Sequence, residues 1–362
     1  MAAMHVTQRP FATAPQALDL RTCKSSSYLL QRPQIAPRRL RIGPPRAAVG
    51  NGAVSVKERP TATTSLLEAA AELCRFGFPK GSLQKSTHDL FERAGFKVKI
   101  SERGYFPSID DEDLQLVLFR SQEISRYVED GILDAGICGY DWIVENQADV
   151  VEVCELAYSK ATSNPARWVL AVPEESHVTR PEQLAGTIVA SELVGTTKRY
   201  FEERGIAVKK VEYSWGATEV KASLPGVGGI VDITETGSSL KANNLRVVDT
   251  ILCSTTRLIA NKAAWEDPDK RRKIEDLSVL LKGAVEGRKK VGLKMNLQKE
   301  LLSQVTAMLP SEQSPTVSQL LDDAFVAVEV VVDERKAREL VPFCKRLGAS
   351  GIYTYPLDVI IH

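Results

Sequence analysis

Residues 228–240 read GGIVDITETGSSL: an apolar run, one acid, then a short loop of hydroxyls around a single glycine. That order predicts a buried strand (Ile230, Val231, Ile233) that delivers Asp232 to the mouth of a site. The turn Thr236-Gly237-Ser238-Ser239 can aim backbone N–H groups and hydroxyls at one anion. A helix opening at Leu240 and Lys241 adds partial positive charge at the same place. A carboxylate is a poor neighbour for a phosphate but a good acceptor for a diol. Asp232 therefore points to a sugar phosphate, with ribose hydroxyls on the acid and the 5-phosphate in the loop. An ordinary strand–turn–helix with common caps reads the same way in sequence.

The chain has 362 residues, 43% of them hydrophobic and 26% charged, which suits two or three globular domains. A net charge of +1 argues against a general nucleic-acid surface. No run approaches the roughly 18 apolar residues of a membrane span. The six cysteines form no CxxC pair, and the four histidines (His5, His88, His177, His362) show no HxH or HxxxH spacing. A His-ligated metal and a Ser-His-Asp mechanism are thereby disfavoured. The first 56 residues carry Arg9, Arg21, Lys24, Arg32, Arg38, Arg39, Arg41 and Arg46 against one acid, Asp19. This Arg-rich, acid-poor, Ser-containing stretch is expected to be a disordered transit peptide over 1–60. Composition alone leaves plastid and mitochondrion open.

Beyond the tail, strands alternate with helices. Strands are expected at Phe96–Ile100, Leu114–Phe119, Leu133–Ile137, Trp168–Val172, Thr187–Ala190, Val208–Tyr213 and Gly229–Ile233. This pattern predicts α/β layers with mostly parallel sheets. The charged stretch WEDPDKRRKIED (265–276) is expected to be a surface loop running into a helix. From 289 the order becomes βαββαβ: a strand at 291–297, a helix from Lys299 to Met308 stopping at Pro310, strands at 316–320 and 324–332, a helix from Asp333, and a last strand. That is a ferredoxin-like module suited to binding an effector or assembling subunits.

Three further stretches offer chemistry. Phe78-Pro79-Lys80-Gly81-Ser82-Leu83 sets a lysine and a glycine at a strand-to-helix turn. Asp134-Ala135-Gly136-Ile137-Cys138-Gly139-Tyr140-Asp141 ends a strand with two glycines that let a ligand approach the backbone. Arg103 and Arg120 flank the LQLVLF strand. Taken together and in this order, residues from about 72 to 362 resemble the ATP phosphoribosyltransferase family. The resemblance rests on ERGYFPSIDDEDLQLVLFRSQEI (102–124), DGILDAGICGYDWI (130–143), RLGASGIYTYPLDVII (346–361) and a D-[LIV]-x-x-[ST]-G-x-[ST]-[LM] core. Asp232, Ile233, Thr236, Gly237, Ser239 and Leu240 match that core, whereas Pro225 and Val227 depart from the pattern before it. Ser82 stands where an arginine is common.

The resemblance implies two α/β lobes of the periplasmic-binding-protein type with the site in the cleft, followed by a ferredoxin-like regulatory domain. Lobe I is expected over 70–155 with 249–288, lobe II over 156–248, and the regulatory domain over 289–362. The implied reaction joins N1 of ATP to C1 of 5-phosphoribosyl 1-pyrophosphate and releases pyrophosphate, with Mg2+ held mainly by substrate phosphates. Asp232 is expected on the ribose hydroxyls, and Thr236, Gly237, Ser238 and Ser239 on the 5-phosphate. Lys80, Gly81, Arg103, Arg120, Gly136 and Gly139 are expected on the nucleotide and pyrophosphate side. Lys198 and Arg199 either reach pyrophosphate or form a solvated helix face; Glu219 is expected to order the cleft or touch the metal shell. The resemblance further implies feedback inhibition by histidine, a dimer or hexamer, and a chloroplast location. A solute-binding module is the principal rival, and it has no use for the Asp-x-x-x-Thr-Gly-x-Ser loop.

Overall fold

The computed structural model describes residues 73–158, 165–309 and 314–362. The expected leader over 1–60 and the helix stop at Pro310 lie outside them. Four strands open the described chain: β1 (Cys74–Lys80), β2 (Leu114–Arg120), β3 (Ala135–Gly139) and β4 (Val151–Leu156). Five more follow: β5 (Ala166–Pro173), β6 (Ile188–Ser191), β7 (Lys210–Tyr213), β8 (Val227–Thr234) and β9 (Leu245–Ser254). The chain then returns to the first sheet through β10 (Thr256–Ala260), giving the order β2-β1-β3-β10-β4. The second sheet has the order β7-β6-β8-β5-β9, which is the same arrangement. In each sheet the first three strands are parallel, and the strand inserted beside them (β10, β5) runs antiparallel to both its neighbours. Two such lobes joined by crossing segments form the periplasmic-binding-protein type of α/β architecture.

Burial explains the layering. In β1 the pattern BiBBBBi buries both faces, because helices cover the sheet on either side. Phe76, Phe78, Leu90, Phe91 and Leu281 fill one face, and Ile124, Val128 and Leu133 the other. Helix Ser121–Glu129 approaches the sheet closely over Gly136: a Cβ built there would lie 2.7 Å from Ile124 Cγ2 and 3.1 Å from Gly77 O. That glycine is fixed by packing. In lobe II, Trp168, Leu170, Val189 and Phe201 form the corresponding core.

The segment expected as a surface loop is instead helix Pro268–Gly287. Asp267 caps it, its side chain accepting from Asp269 N at 3.0 Å and Lys270 N at 3.1 Å, while Pro268 occupies the first turn, where no N–H is needed. Lys270 Nζ then meets the buried Asp134 carboxylate at 2.9 Å, which ties this helix to lobe I. Phe96–Ile100 makes only a single bridge, Lys99 to Ser108, and not a strand. The Phe96 ring turns inward against Phe91, 5.7 Å between centroids, so the segment serves the core rather than a ladder.

The C-terminal unit holds β11 (Lys290–Gln298), β12 (Thr316–Gln319), β13 (Phe325–Asp333) and β14 (Ser350–Pro356) in the antiparallel order β12-β13-β11-β14. Helix Glu334–Arg346 packs Ala337, Leu340 and Cys344 onto that sheet. This is the ferredoxin-like order. The first helix of the unit is shorter than expected: a 3-10 turn over Lys299–Leu301 precedes an α-helix over Leu302–Thr306.

Candidate active site

A cleft of about 480 Å³ lies between the lobes. Its lobe I wall comes from the C-terminal ends of parallel strands, where consecutive strand-to-helix turns converge. Lys80 and Arg120 are paired residues at the ends of β1 and β2, so two cations stand side by side. Lys80 Nζ lies 4.3 Å from the centroid of the Tyr105 ring, which holds the ammonium over an aromatic face. Gly81, Gln122, Gly139 and Asp141 complete this wall.

The opposite wall is the loop after β8. Gly237 has φ 78°, a left-handed conformation that suits glycine, and it precedes helix Ser238–Ala242. Its N–H donates to Thr234 Oγ1 at 2.8 Å, which folds the turn back on the strand end. Thr236 Oγ1 and Ser238 Oγ are 2.9 Å apart, and Thr236, Ser238 and Ser239 all line the cleft. The loop therefore offers neutral donors beside one acid, Glu235, and the cations face it from the other lobe.

Asp232 belongs to β8, one residue before Ile233; Ile233 lines the cleft, whereas Asp232 lies behind it, as neighbouring strand residues face opposite ways. Its Oδ1 accepts from Ile233 N at 2.8 Å. Burial pushes its carboxyl up from 3.8 to about 6, and the charges of Glu219 and Glu192 push in the same direction against that backbone bond. Glu219 thus shares an acidic corner with Asp232.

The other expected residues are placed differently. Arg103 is exposed on the loop that carries Tyr105. Gly136 is buried in mid-strand under Ile124, away from the cleft. Residues 195–197 open helix Val194–Glu203, on which Lys198 is exposed. Arg199 Nη2 donates to Val144 O at 2.7 Å and to Thr196 Oγ1 at 3.1 Å, so its charge is engaged between the lobes.

Sequence reasoning passes over the cleft floor. Asp141, only 4% exposed, accepts from Trp168 Nε1 at 2.7 Å, and its backbone N–H donates to Ser254 Oγ at 3.1 Å. Burial raises the Asp141 carboxyl, while the hydrogen bonds its oxygens accept, from Trp168 first, oppose the shift. Tyr158, also in the lining, shares a 2.7 Å hydrogen bond with Thr87, and burial raises its hydroxyl. A larger hollow of about 630 Å³ lies against the C-terminal unit, lined by Arg93, Arg288 and Arg338 among others, and holds none of the expected site residues.

Known proteins resemble this chain over most of its length. A family model described as ATP phosphoribosyltransferase matches residues 120–283, and one described as the C-terminal domain of that protein matches residues 287–359. The ATP phosphoribosyltransferase of Solibacter usitatus is 52% identical over 289 residues, covering 80% of this chain and 99% of its own. That of Pelotomaculum thermopropionicum is 53% identical over 287 residues, covering 79% and 99%. A chain of the ATP phosphoribosyl transferase (HisG:HisZ) complex from Thermotoga maritima superposes with a TM-score of 0.51 at 25% identity, covering 59% of this chain and 99% of its own. These relatives overturn the expected chloroplast location: they are enzymes of bacteria, which have no plastid, and nothing in them points to a plastid address. Identical to these relatives at about half of the aligned positions, over nearly their whole length and with the C-terminal domain present, the chain belongs to the ATP phosphoribosyltransferase family in its long form.

Proposed function

We propose that the interlobe cleft performs the family's reaction with its two walls in different roles. The family joins ATP to 5-phosphoribosyl 1-pyrophosphate in the first step of histidine biosynthesis, and this chain is accordingly a pentosyltransferase. In our reading, lobe I takes residues 70–155 and the chain after β9 up to 288, lobe II runs from 156 to the end of β9 at Ser254 rather than to 248, and 289–362 act as the regulatory domain. The 5-phosphate sits on the hydroxyls of Thr236, Ser238 and Ser239 and on backbone N–H groups of the turn; Gly237, its own N–H given to Thr234, shapes that turn. Asp232 accepts from the ribose hydroxyls, with Glu219 ordering that corner. Lys80 and Arg120 meet the pyrophosphate and the nucleotide phosphates, beside Gly81 and Gly139.

Adenine N1 already presents a lone pair, so the transfer needs no strong general base. The barrier lies in breaking the C1–O bond through an oxocarbenium-like state, as in other glycosyl transfers. The protein then contributes alignment of N1 with C1 and stabilisation of charge on the departing pyrophosphate. Lys80 and Arg120 are the side chains in the lining suited to the second task. A divalent cation would be held chiefly by the substrate phosphates, near the corner where Asp232 is desolvated and feels the charges of Glu219 and Glu192. Asp232 or Glu219 would supply one ligand and substrate phosphates the rest. Mg2+ is our expectation, and its chemistry is to neutralise charge on the diphosphate.

The observation that carries this reading is two adjacent cations facing a hydroxyl-and-glycine loop across one cleft. Mixing the protein with ATP, phosphoribosyl pyrophosphate and Mg2+ should change the ultraviolet absorbance, because alkylation at N1 alters the adenine chromophore. Asp232→Ala should abolish most of that signal while Glu202→Ala, at an exposed surface acid, leaves it intact. Equal rates in the two variants would refute the ribose role. We further propose that histidine binds the C-terminal unit and lowers activity by shifting the arrangement of a homo-oligomer.

A further inference from the structure

Helix Tyr140–Asn146 of lobe I packs against helix Val194–Glu203 of lobe II. Glu145 lies at this seam. One of its carboxylate oxygens accepts from Gly195 N at 2.7 Å; the other accepts from Thr196 N and Thr196 Oγ1, both at 2.7 Å. The carboxylate thus fills the N-terminal end of a ten-residue helix from the other lobe. Charge-assisted bonds of this length are strong, and the helix dipole favours the anion. The helix's own N-cap residue, Leu193, provides no side-chain cap, so Glu145 supplies what the local sequence does not.

The seam is reinforced. Arg199 Nη2 donates to Val144 O at 2.7 Å and to Thr196 Oγ1 at 3.1 Å, and Gln122 Nε2 donates to Glu192 Oε1 at 3.1 Å. Gly195 leaves room for the clasp: a Cβ there would lie 3.3 Å from Arg199 Nη1 and from both Glu145 oxygens. Glu145, Thr196 and Arg199 do not line the cleft. Their bonds act on the spacing of its walls.

We propose that Glu145 is a positioning residue for phosphoribosyl transfer: by capping helix Val194–Glu203 across the seam, it holds the lobes where Lys80 and Arg120 face the 236–239 loop. The proposal rests on the reading of the cleft given above. Without the clasp, the lobes separate more often and each substrate meets a competent cleft in a smaller fraction of molecules. Apparent affinity falls by that fraction, whereas saturating substrates restore closure and kcat moves less.

The test is the KM for ATP and for phosphoribosyl pyrophosphate, with kcat, in the unaltered protein and in Glu145→Ala, Glu145→Gln, Thr196→Val and Thr196→Ser. Losing charge-assisted hydrogen bonds corresponds to roughly ten-fold or more in the clasped-to-open ratio. Glu145→Ala should raise both KM values by about that factor. Thr196→Val should raise them less, and Thr196→Ser, which keeps the hydroxyl, should stay close to the unaltered protein. A merely structural role would instead lower active protein and the unfolding midpoint at constant KM. Unchanged or lower KM in Glu145→Ala would overturn the proposal, and so would equal behaviour of the two Thr196 variants should Glu145→Ala fail to fold. Small-angle scattering separates the two levels: if the unaltered chain made no product, the cleft reading would fall, yet a larger radius of gyration in Glu145→Ala would still support the clasp, and an unchanged radius would sink it.

Discussion

Replacing Asp232 by Asn should make the protein more stable at neutral pH and less active. The folded protein holds the Asp232 proton up to about pH 6, against 3.8 for the ordinary carboxyl. Each tenfold difference in proton affinity is worth about 1.4 kcal/mol, so ionised Asp232 costs folding about 3 kcal/mol at pH 8. The sign follows from which state binds the proton more tightly. The folded state does, so the penalty is absent below pH 3.8, grows through the interval up to about 6, and is complete above it. About 1 kcal/mol already applies at pH 4.5, leaving a widening of about 2 kcal/mol between pH 4.5 and 8. Asn is neutral throughout and keeps a carbonyl oxygen for the Ile233 N–H. Urea unfolding of both proteins at pH 4.5, 6 and 8 measures the gap. Asp232→Asn should gain on the unaltered protein as pH rises, while turnover falls by roughly ten-fold or more with the loss of a charged acceptor. A gap that stays constant with pH, or a variant that is less stable at pH 8, would show that the carboxyl is not held in a desolvated, like-charged corner.

Two other outcomes can be checked with ordinary reagents. Lys270→Met leaves the Asp134 carboxylate, which is 6% exposed, with only the longer 3.4 Å contact to Arg75 Nε and a hydrogen bond from Arg75 N. Losing one charge-assisted bond to a buried carboxylate that keeps Arg75 should lower stability by about 2 kcal/mol, read as a drop in the urea midpoint; Lys270→Arg should recover part of it. Histidine added to the full chain should reduce turnover, and a chain ending at Gly287 should no longer respond. Full activity together with full inhibition in the shortened chain would place the effector elsewhere.

What is legible in sequence follows the range of the interaction. The 228–240 stretch can be read directly because strand, left-handed glycine and helix start are contiguous, and each has a local signature. The same holds for Lys80 and Arg120, each placed by the end of an apolar strand. Cleft-floor and seam contacts are different: Asp141 and Trp168 are 27 residues apart, and Glu145 and Thr196 are 51. No periodicity reports such a pairing. Strands β9 and β10 are also silent, since β9 is mostly half-buried and β10 is defined by returning antiparallel to an earlier sheet. The charged segment at 265–276 is a different case. Its composition points to a loop, yet Asp267-Pro268 is a helix-start pair, and local capping chemistry prevails over bulk polarity.

The distribution of charge across the cleft explains why the lobes must be held together. Lobe II contributes hydroxyls, backbone N–H groups and Glu235 to the lining, with Asp232, Glu219 and Glu192 close behind. Its described lining residues include no cation; both Lys80 and Arg120 come from lobe I. A sugar carrying a phosphate at one end and a diphosphate at the other cannot satisfy both ends on lobe II, whose acids would repel the diphosphate. On lobe I alone it would lack the loop. In the proposed reading, productive binding requires both walls at once, and coulombic attraction across the gap weakens as the gap fills with water. In a cleft built this way, the spacing of the lobes sets the strength of the catalytic electrostatics. A carboxylate outside the cleft that fixes that spacing can then matter to turnover as much as a residue within it.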